Sequence, residues 1–309
     1  MVIVARRLPN GGEMNRRHQP AGAPDRRNVL VRSARPPDLT LRYGDDASQV
    51  ADVHLPTRES VSKAGISGRA LFALFLHGGF WRAQYGREHT APLAEALAQA
   101  GFAVCAPEYR RSGQRGGGWP GTFDDVATAV DRLPGLVRAA VGEFIEPERM
   151  VLAGHSAGGH LALWAASRHR LPAGSPWRRA EAMAGCGVVA LAAVCDLAAC
   201  QERRLGQRAA DALMGGGPRQ FPDRYAAADP AGLLPIGVPV RLVHGTADDR
   251  VPHEMSMEYA ARAHAAGDVE TECTLLPGAG HFDVIDPLSA AWGTVRDAFW
   301  SASPPAPHG

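Results

Sequence analysis

One serine lies between small residues in the stretch GHSAG, where Ser156 is preceded by His155 and followed by Ala157. The pattern G-x-S-x-G, between a strand-like and a helix-like segment, is typical of a sharp turn that exposes a serine hydroxyl. Such a hydroxyl can attack a carbonyl carbon once a base removes its proton. The backbone N–H of Ala157, at the start of the helix, would then face the negative oxygen that forms. The simpler alternative is a glycine-rich turn that contains an incidental serine.

A second glycine-containing segment, FLHGGFWR, ends an earlier strand-like run. Glycines let a backbone approach a reacting group closely, and a developing oxyanion needs a second N–H donor beside the one near the serine. We expect the N–H groups of Gly79 and Phe80 to supply it, while His77 fixes the loop by hydrogen bonding. The alternative is an ordinary strand-to-helix turn, which would not need two glycines after a histidine.

Two further loops, in LVHGTADDRVP and LPGAGHFDVID, each follow a predicted strand near the end of the chain. His281 is the candidate base because its loop contains glycines and comes last in the chain. The acid that orients it is Asp248 or Asp249. We favour Asp248, since Asp249 suits a turn or a helix cap, and Asp283 and Asp286 are weaker competitors. Serine, acid and histidine in this order match the chain order of α/β hydrolases.

Aromatic residues adjoin these loops and predict an apolar pocket. We expect three of them to contact the substrate, namely Trp81, Trp119 and Phe282. Each could equally be a core residue, which is the commoner role of a large aromatic side chain.

The elements that must position these loops alternate between strand-like and helix-like segments. Alternation of this kind predicts an α/β fold with a mostly parallel central sheet and helices on both faces. The segment 198–235, between two predicted strands, is too long for a simple turn and predicts a small cap-like insertion. We expect one domain over residues 38–300, a disordered tail rich in Arg, Pro and Gly over 1–37, and a second tail over 301–309.

Composition narrows the classes of partner. The 309 residues carry a formal net charge of +1, which argues against nucleic-acid binding and against a polybasic membrane contact. No stretch approaches the roughly 20 apolar residues of a membrane span. Five scattered cysteines without paired CxxC motifs indicate reduced thiols and a cytoplasmic protein rather than a zinc site. We expect no metal or cofactor, a small-molecule ester or amide as ligand, and we leave a homodimer open.

The four motifs together resemble the α/β-hydrolase superfamily over roughly residues 38–300. The stretch HGGFW is similar to the HGGxW signature of the kynurenine formamidase and carboxylesterase branch, and Phe80 stands where related esterases have a third glycine. HGTADDRVP is similar to the acid-loop pattern H-G-x-x-D-x-x-V-P, which favours Asp248.

This resemblance implies an α/β-hydrolase fold and two-step acyl transfer without a cofactor. In that mechanism His281 takes the proton of Ser156, and Asp248 orients the imidazole. The implied function is a serine hydrolase that cleaves small-acyl esters or aryl formamides. A small peptidase of the prolyl-oligopeptidase type and a non-catalytic binding member of the fold are the alternatives.

Overall fold

A computed structural model describes residues 28–64 and 68–305 of the chain. Within these residues one sheet contains eight strands: β1 (Leu39–Arg42), β2 (Val50–His54), β3 (Ala70–Leu76), β4 (Phe102–Pro107), β5 (Ile145–His155), β6 (Cys186–Leu191), β7 (Val240–Gly245) and β8 (Thr271–Leu276).

Nine α-helices accompany these strands in the described part of the chain: α1 (Arg58–Lys63), α2 (Ala91–Gln99), α3 (Gly121–Val141), α4 (Ala157–Ala166), α5 (Leu197–Glu202), α6 (Leu205–Met214), α7 (Pro222–Ala228), α8 (Glu254–Ala265) and α9 (Trp292–Ala302). Six short 3-10 helices occur in the same residues: Asn28–Val31, Arg87–Thr90, Gly142–Phe144, Arg168–Arg170, Pro230–Gly232 and Asp283–Ile285.

The strands lie in the order β1-β2-β4-β3-β5-β6-β7-β8. Pairings from β4 to β8 are parallel, whereas β1 and β2 are antiparallel to their neighbours. The carboxyl ends of β3, β5, β7 and β8 therefore meet at one edge of the sheet. The loops with the HGG stretch, the serine, the acid and the histidine follow these four strands, so the topology alone gathers them.

Two hydrophobic cores cover the two faces of the sheet, as the alternation of residues along β3 illustrates. Phe72 packs with residues of α3, α4 and α8, whereas Leu71 packs with residues of α2 and α9. Strands buried on both faces explain the continuous apolar run of β3, all of whose residues are buried. The predicted α/β sheet with helices on both faces is confirmed.

Both predicted tails are shorter than expected where the structure describes them. Val29 is only 1% exposed and belongs to the core beneath α2 and α9, and Arg32 forms an ion pair with Asp286. The prediction of disorder is therefore wrong for residues 28–37, because one apolar anchor outweighs a polar composition. The remainder of that prediction, residues 1–27, lies outside the described residues.

The other end of the chain differs in the same way. Helix α9 continues to the buried Ala302, and the carbonyl of Pro304 accepts a hydrogen bond from Arg149 Nε at 2.8 Å. Of the tail predicted over 301–309, the last four residues lie outside the described part.

Three helices, α5, α6 and α7, lie between β6 and β7, where the insertion was expected. Inside α6, the residues Gly206, Gln207 and Arg208 have left-handed backbone angles. The insertion contacts the main domain next to the serine, since His160 Nε2 of α4 bonds the carbonyl of Ala228 at 2.9 Å. None of the described helices combines the length and apolar character needed to cross a bilayer.

Candidate active site

Ser156 is the single residue between the end of β5 and the start of α4. Its backbone angles, φ 55° and ψ −117°, lie in a region that residues with a side chain seldom adopt. Strain of this kind persists only where the surroundings enforce it. The turn directs the chain abruptly from strand to helix and leaves Ser156 only 1% exposed.

The small residues after the serine allow α4 to approach the neighbouring strand. A Cβ atom on Gly158 would lie 2.0 Å from the carbonyl oxygen of Leu76, at the end of β3, and 2.5 Å from that of His77. No real side chain tolerates such distances, so glycine is required at this position. The serine turn and the HGG loop are therefore in direct contact.

Asp248 and His281 lie together, as the sequence predicts. The Nδ1 atom of His281 is 2.7 Å from Oδ2 of Asp248, and both side chains are almost completely buried. Burial opposes ionisation of Asp248, but hydrogen bonds from His244, His281 and the backbone hold its pKa well below the usual range. Asp249, by contrast, leaves 74% of its side chain exposed and pairs with Arg250.

The two weaker competitors have other partners. Asp283 accepts a hydrogen bond from the backbone N–H of Gly280 at 2.7 Å, and Asp286 pairs with Arg32. The structure thus brings Asp248, and none of the three other aspartates, to the ring of His281.

Sequence reasoning missed a second histidine at this carboxylate. His244 Nε2 lies 3.1 Å from Oδ2 of Asp248 and 3.0 Å from the carbonyl oxygen of Val251. Its Nδ1 lies 2.8 Å from the hydroxyl of Ser256. Because both partners of Nε2 accept hydrogen bonds, Nε2 carries the hydrogen and the hydroxyl donates to Nδ1. A polar residue at the end of the apolar strand β7 was the available signal.

His155 connects the histidine loop with the serine turn. Its Nε2 donates to the carbonyl of His281 at 2.9 Å, and the two rings are 4.6 Å apart. Burial and the neighbouring His281 lower the pKa of His155 well below its usual range, so its ring is neutral. The residue immediately before Ser156 therefore fixes the backbone of the loop that carries His281.

The three backbone N–H groups predicted for an oxyanion lie around the same turn. Gly79 and Phe80 adopt positive φ angles of 111° and 51°, and a Cβ on Gly78 would lie 3.2 Å from Cβ of Ser156. Within residues 28–64 and 68–305, the N–H groups of Gly79, Phe80 and Ala157 have no hydrogen-bond acceptor. Buried N–H groups are normally paired, so these three donors are available to a ligand.

Of the predicted substrate contacts, Phe282 lies nearest the candidate base. Its ring centroid is 5.1 Å from that of His281, in an edge-to-face arrangement, and the residue is partly exposed. This position is compatible with the prediction that it lines the site.

The other two predicted contacts lie elsewhere. Trp81 is completely buried and packs edge-on against His160, so it supports the loop from behind rather than facing a substrate. Trp119 lines a separate cavity of about 410 Å³ together with Trp177, and neither Ser156 nor His281 borders that cavity. Aromatic residues next to a motif in sequence were thus a poor guide, because alternate residues of a loop face opposite sides.

The insertion touches the oxyanion loop through two residues. A Cβ on Gly206 would lie 2.5 Å from the ring of Phe80, so the ring rests directly on the backbone of α6. Arg82 donates to the carbonyl of Gly206 and, at 3.3 Å, to that of Gln207. The left-handed segment of α6 and the HGGFW loop therefore form one contact region.

The described residues contain no group of three or more His, Cys, Asp or Glu side chains arranged to hold a metal ion. Four of the five cysteines are fully buried, and burial raises their pKa values, so none resembles an activated thiol.

Comparisons with solved structures identify the fold. A truncated carbohydrate esterase from gut microbiota superimposes with a TM-score of 0.67 at 21% identity, over 87% of this chain and 99% of that one. Esterase B from Lactobacillus rhamnosis gives 0.67 at 19% identity, over 89% and 90%. Esterase 2 from Thermogutta terrifontis with bound propionate gives 0.58 at 22% identity, over 84% and 90%.

A comparison with curated protein sequences finds no match. The BD-FAE family model, however, matches residues 61–262, which is about two thirds of the chain. The matched region includes the HGG loop, Ser156 and Asp248 and ends before His281. The expected resemblance to the α/β-hydrolase superfamily is confirmed, and the chain belongs to the BD-FAE family of α/β-hydrolase esterases.

Proposed function

We propose that this protein is a serine esterase in which Ser156, His281 and Asp248 act together on small-acyl esters. The observation that carries the proposal is the buried hydrogen bond between Asp248 and His281, beside a serine in a strained strand-to-helix turn. Ser-His-Asp sites are recognised by geometry and roles, and each role has a candidate here.

In the proposed first step, the hydroxyl of Ser156 attacks the ester carbonyl and gives its proton to Nε2 of His281. Asp248 accepts the hydrogen on Nδ1 and stabilises the imidazolium that forms. The N–H groups of Gly79, Phe80 and Ala157 hold the negative oxygen of the tetrahedral intermediate.

The C–O bond of the leaving group then breaks, and His281 returns the proton to the departing alcohol. Water attacks the resulting acyl-serine by the same route and releases the acid. The site thereby regenerates itself with only water as a second substrate.

Several features favour short acyl groups. Ser156 and His281 are 1% and 5% exposed, and the Phe80 ring is wedged between the oxyanion loop and Gly206. A bulky residue at this position narrows the space next to the acyl carbon. Propionate bound to Thermogutta terrifontis esterase 2 is an acyl product of this size in a protein of the same fold. Aryl formamides, with the smallest acyl group, are the second substrate class that we expect.

The nucleophile can be tested with a fluorophosphonate probe, followed by mass spectrometry of the labelled peptide. We expect one adduct, on Ser156, and no adduct on the Ser156→Ala variant. That variant should lose turnover on the order of a million-fold without a change in circular dichroism. An adduct on another residue, or turnover in the variant above a few per cent, would contradict the assignment.

Substrate class can be tested with p-nitrophenyl esters from acetyl to decanoyl, together with an aryl formamide and a prolyl peptide. We expect kcat/KM to fall steadily with chain length, because each methylene changes binding by only about 1–3 kcal/mol. A maximum at long chains would indicate a lipase, and preferential cleavage of the peptide would indicate a peptidase. Either result would reject the small-acyl proposal without affecting the catalytic residues.

A further inference from the structure

Both ring nitrogens of His77 face oxygen atoms. Nδ1 lies 2.8 Å from the carbonyl oxygen of Gly78, and Nε2 lies 2.7 Å from Oε1 of Glu108. The ring is completely buried, so water does not compete for either position. A carbonyl oxygen only accepts hydrogen bonds, and Nδ1 must therefore carry a hydrogen.

The partner of Nε2 is an ionised carboxylate. Burial favours the neutral form of Glu108, but the contacts with His77, Arg111 and the N–H of Tyr109 hold its pKa at about 2. Its Oε2 also accepts from the N–H of Arg87 at 3.2 Å. An ionised carboxylate has no hydrogen to donate, so Nε2 must carry a hydrogen as well.

We propose that Glu108 holds His77 as a doubly protonated imidazolium, and that this ring sets the direction of the Gly79 N–H in the oxyanion hole. The argument is one of peptide geometry: in a trans peptide the C=O and N–H groups point in opposite directions. Once Nδ1 of His77 holds the carbonyl of Gly78, the N–H of Gly79 is turned to the other side of the loop, where it has no acceptor among the described residues.

The surroundings of His77 favour a single orientation of the charged ring. Tyr109 stacks on it at 4.3 Å and donates its hydroxyl to the carbonyl of His77 at 2.8 Å. His89 approaches edge-on at 5.9 Å, and burial and the charge of His77 lower the pKa of His89 to about 3, so it stays neutral. Arg111 lies on the other side of Glu108, 3.3 Å from Oε1.

Loss of one proton from His77 would disturb the loop. If the ring kept its hydrogen on Nε2, the bare Nδ1 would face the carbonyl oxygen of Gly78, and two lone pairs would repel each other. The peptide would then rotate and withdraw the N–H of Gly79 from the oxyanion. His77 and Glu108 are thus positioning residues, which act on the reaction through a backbone amide.

This inference rests on the proposed esterase function, and the Glu108→Gln variant tests it. Glutamine keeps the size and one acceptor oxygen of Glu108 but removes the charge that retains the second proton. We expect kcat for p-nitrophenyl acetate to fall by about 10- to 100-fold, since loss of one oxyanion donor costs on that order or somewhat more, with KM nearly unchanged. We also expect a decline in kcat toward alkaline pH that the wild type lacks.

The matched control is Glu143→Gln, which removes a charge from an exposed carboxylate that pairs with Arg138 on the surface. It should behave as the wild type at every pH. Wild-type and Glu108→Gln profiles of the same shape would overturn the proposal, because a purely structural defect would lower kcat without adding an alkaline decline.

A second measurement applies to the wild type and needs no substrate. Nitrogen-15 NMR should find both ring nitrogens of His77 protonated between about pH 6 and 9, with the signals assigned through the His77→Gln variant. A single protonated nitrogen in this range would overturn the proposal even if Glu108→Gln did not fold. An inactive wild-type protein would instead contradict the proposed function, so the two failures are distinguishable.

Discussion

Asp248 uses its full capacity to accept hydrogen bonds. Oδ2 accepts from His281 and His244, while Oδ1 accepts from the N–H groups of Arg250 and Val251 at 2.8 and 2.9 Å. A carboxylate held on both oxygens cannot rotate. Its orientation fixes the hydrogen of His281 on Nδ1 and leaves Nε2 free to accept a proton.

Replacement of Asp248 by Asn should reduce kcat by roughly ten-thousand-fold, because the imidazole would lose the tautomer and orientation that the reaction requires. Asp249→Asn is the matched control, since its side chain lies in solvent one residue away. Steady-state kinetics on the two purified variants decides the assignment. A larger loss in Asp249→Asn than in Asp248→Asn would transfer the role of the acid to Asp249.

Residues that belong to local motifs could be predicted from the sequence, and residues that act across the chain could not. Ser156, Asp248 and His281 each lie in a short pattern with a known place after a strand. Glu108 and His244 act through contacts that form only when separate strands align in the sheet. Their predictable feature was limited to a polar side chain at the end of an apolar run.

At the scale of elements, the insertion and the oxyanion loop are mechanically coupled. The ring of Phe80 lies on the backbone of Gly206, and Arg82 bonds two carbonyl groups of the same segment. Gly206 itself has φ 55°, and the next two residues are also left-handed. A change in this segment should therefore be transmitted to the acyl side of the site.

The Gly206→Ala variant should lower kcat/KM by about tenfold and alter the preference among short acyl chains, since one or two kcal/mol is typical of overpacking a tight contact. The added Cβ would displace the ring of Phe80. Gly232→Ala in the same insertion is the control, because a Cβ there meets no atom within 4 Å. Equal kinetics of the two variants on acetyl, butyryl and hexanoyl esters would refute the coupling.

The strands and most helices could be predicted from apolar runs and helical spacing, because burial on both sides of the sheet leaves a strong pattern. The left-handed segment of α6 could not, since Gln207 and Arg208 are ordinary helix formers whose backbone is determined by contacts with the HGGFW loop. The burial of Trp81 was hidden for a related reason. Local sequence does not reveal which side of a loop faces the core.

At the scale of the whole molecule, buried carboxylates make stability depend on pH. The pKa of Glu108 is about 2 in the folded protein, against an ordinary value of 4.5, and that of Asp248 is also lowered. A carboxyl group with a lowered pKa stabilises the fold above its unfolded pKa, and this contribution disappears as the pH falls through the folded value.

Glu108 should accordingly contribute about 3 kcal/mol at neutral pH, and this contribution should decline between about pH 5 and 2. Urea unfolding at pH 7, 5, 4 and 3 should find wild type more stable than Glu108→Gln at neutral pH, with a difference that shrinks in acid. A difference that stays constant over this range would contradict the linkage. Glu143→Gln, on the surface, should remain parallel to the wild type throughout.

The docking of residues 28–32 has a practical consequence for anyone who produces shortened versions of this protein. Composition suggests trimming up to residue 37, but that cut would remove Val29 from the core and the Arg32 partner of Asp286. Full burial of a valine is worth about 1.5–3 kcal/mol, and Asp286 lies five residues beyond His281. Affinity tags and protease sites are therefore better placed before residue 28, so that purification leaves this anchor in position.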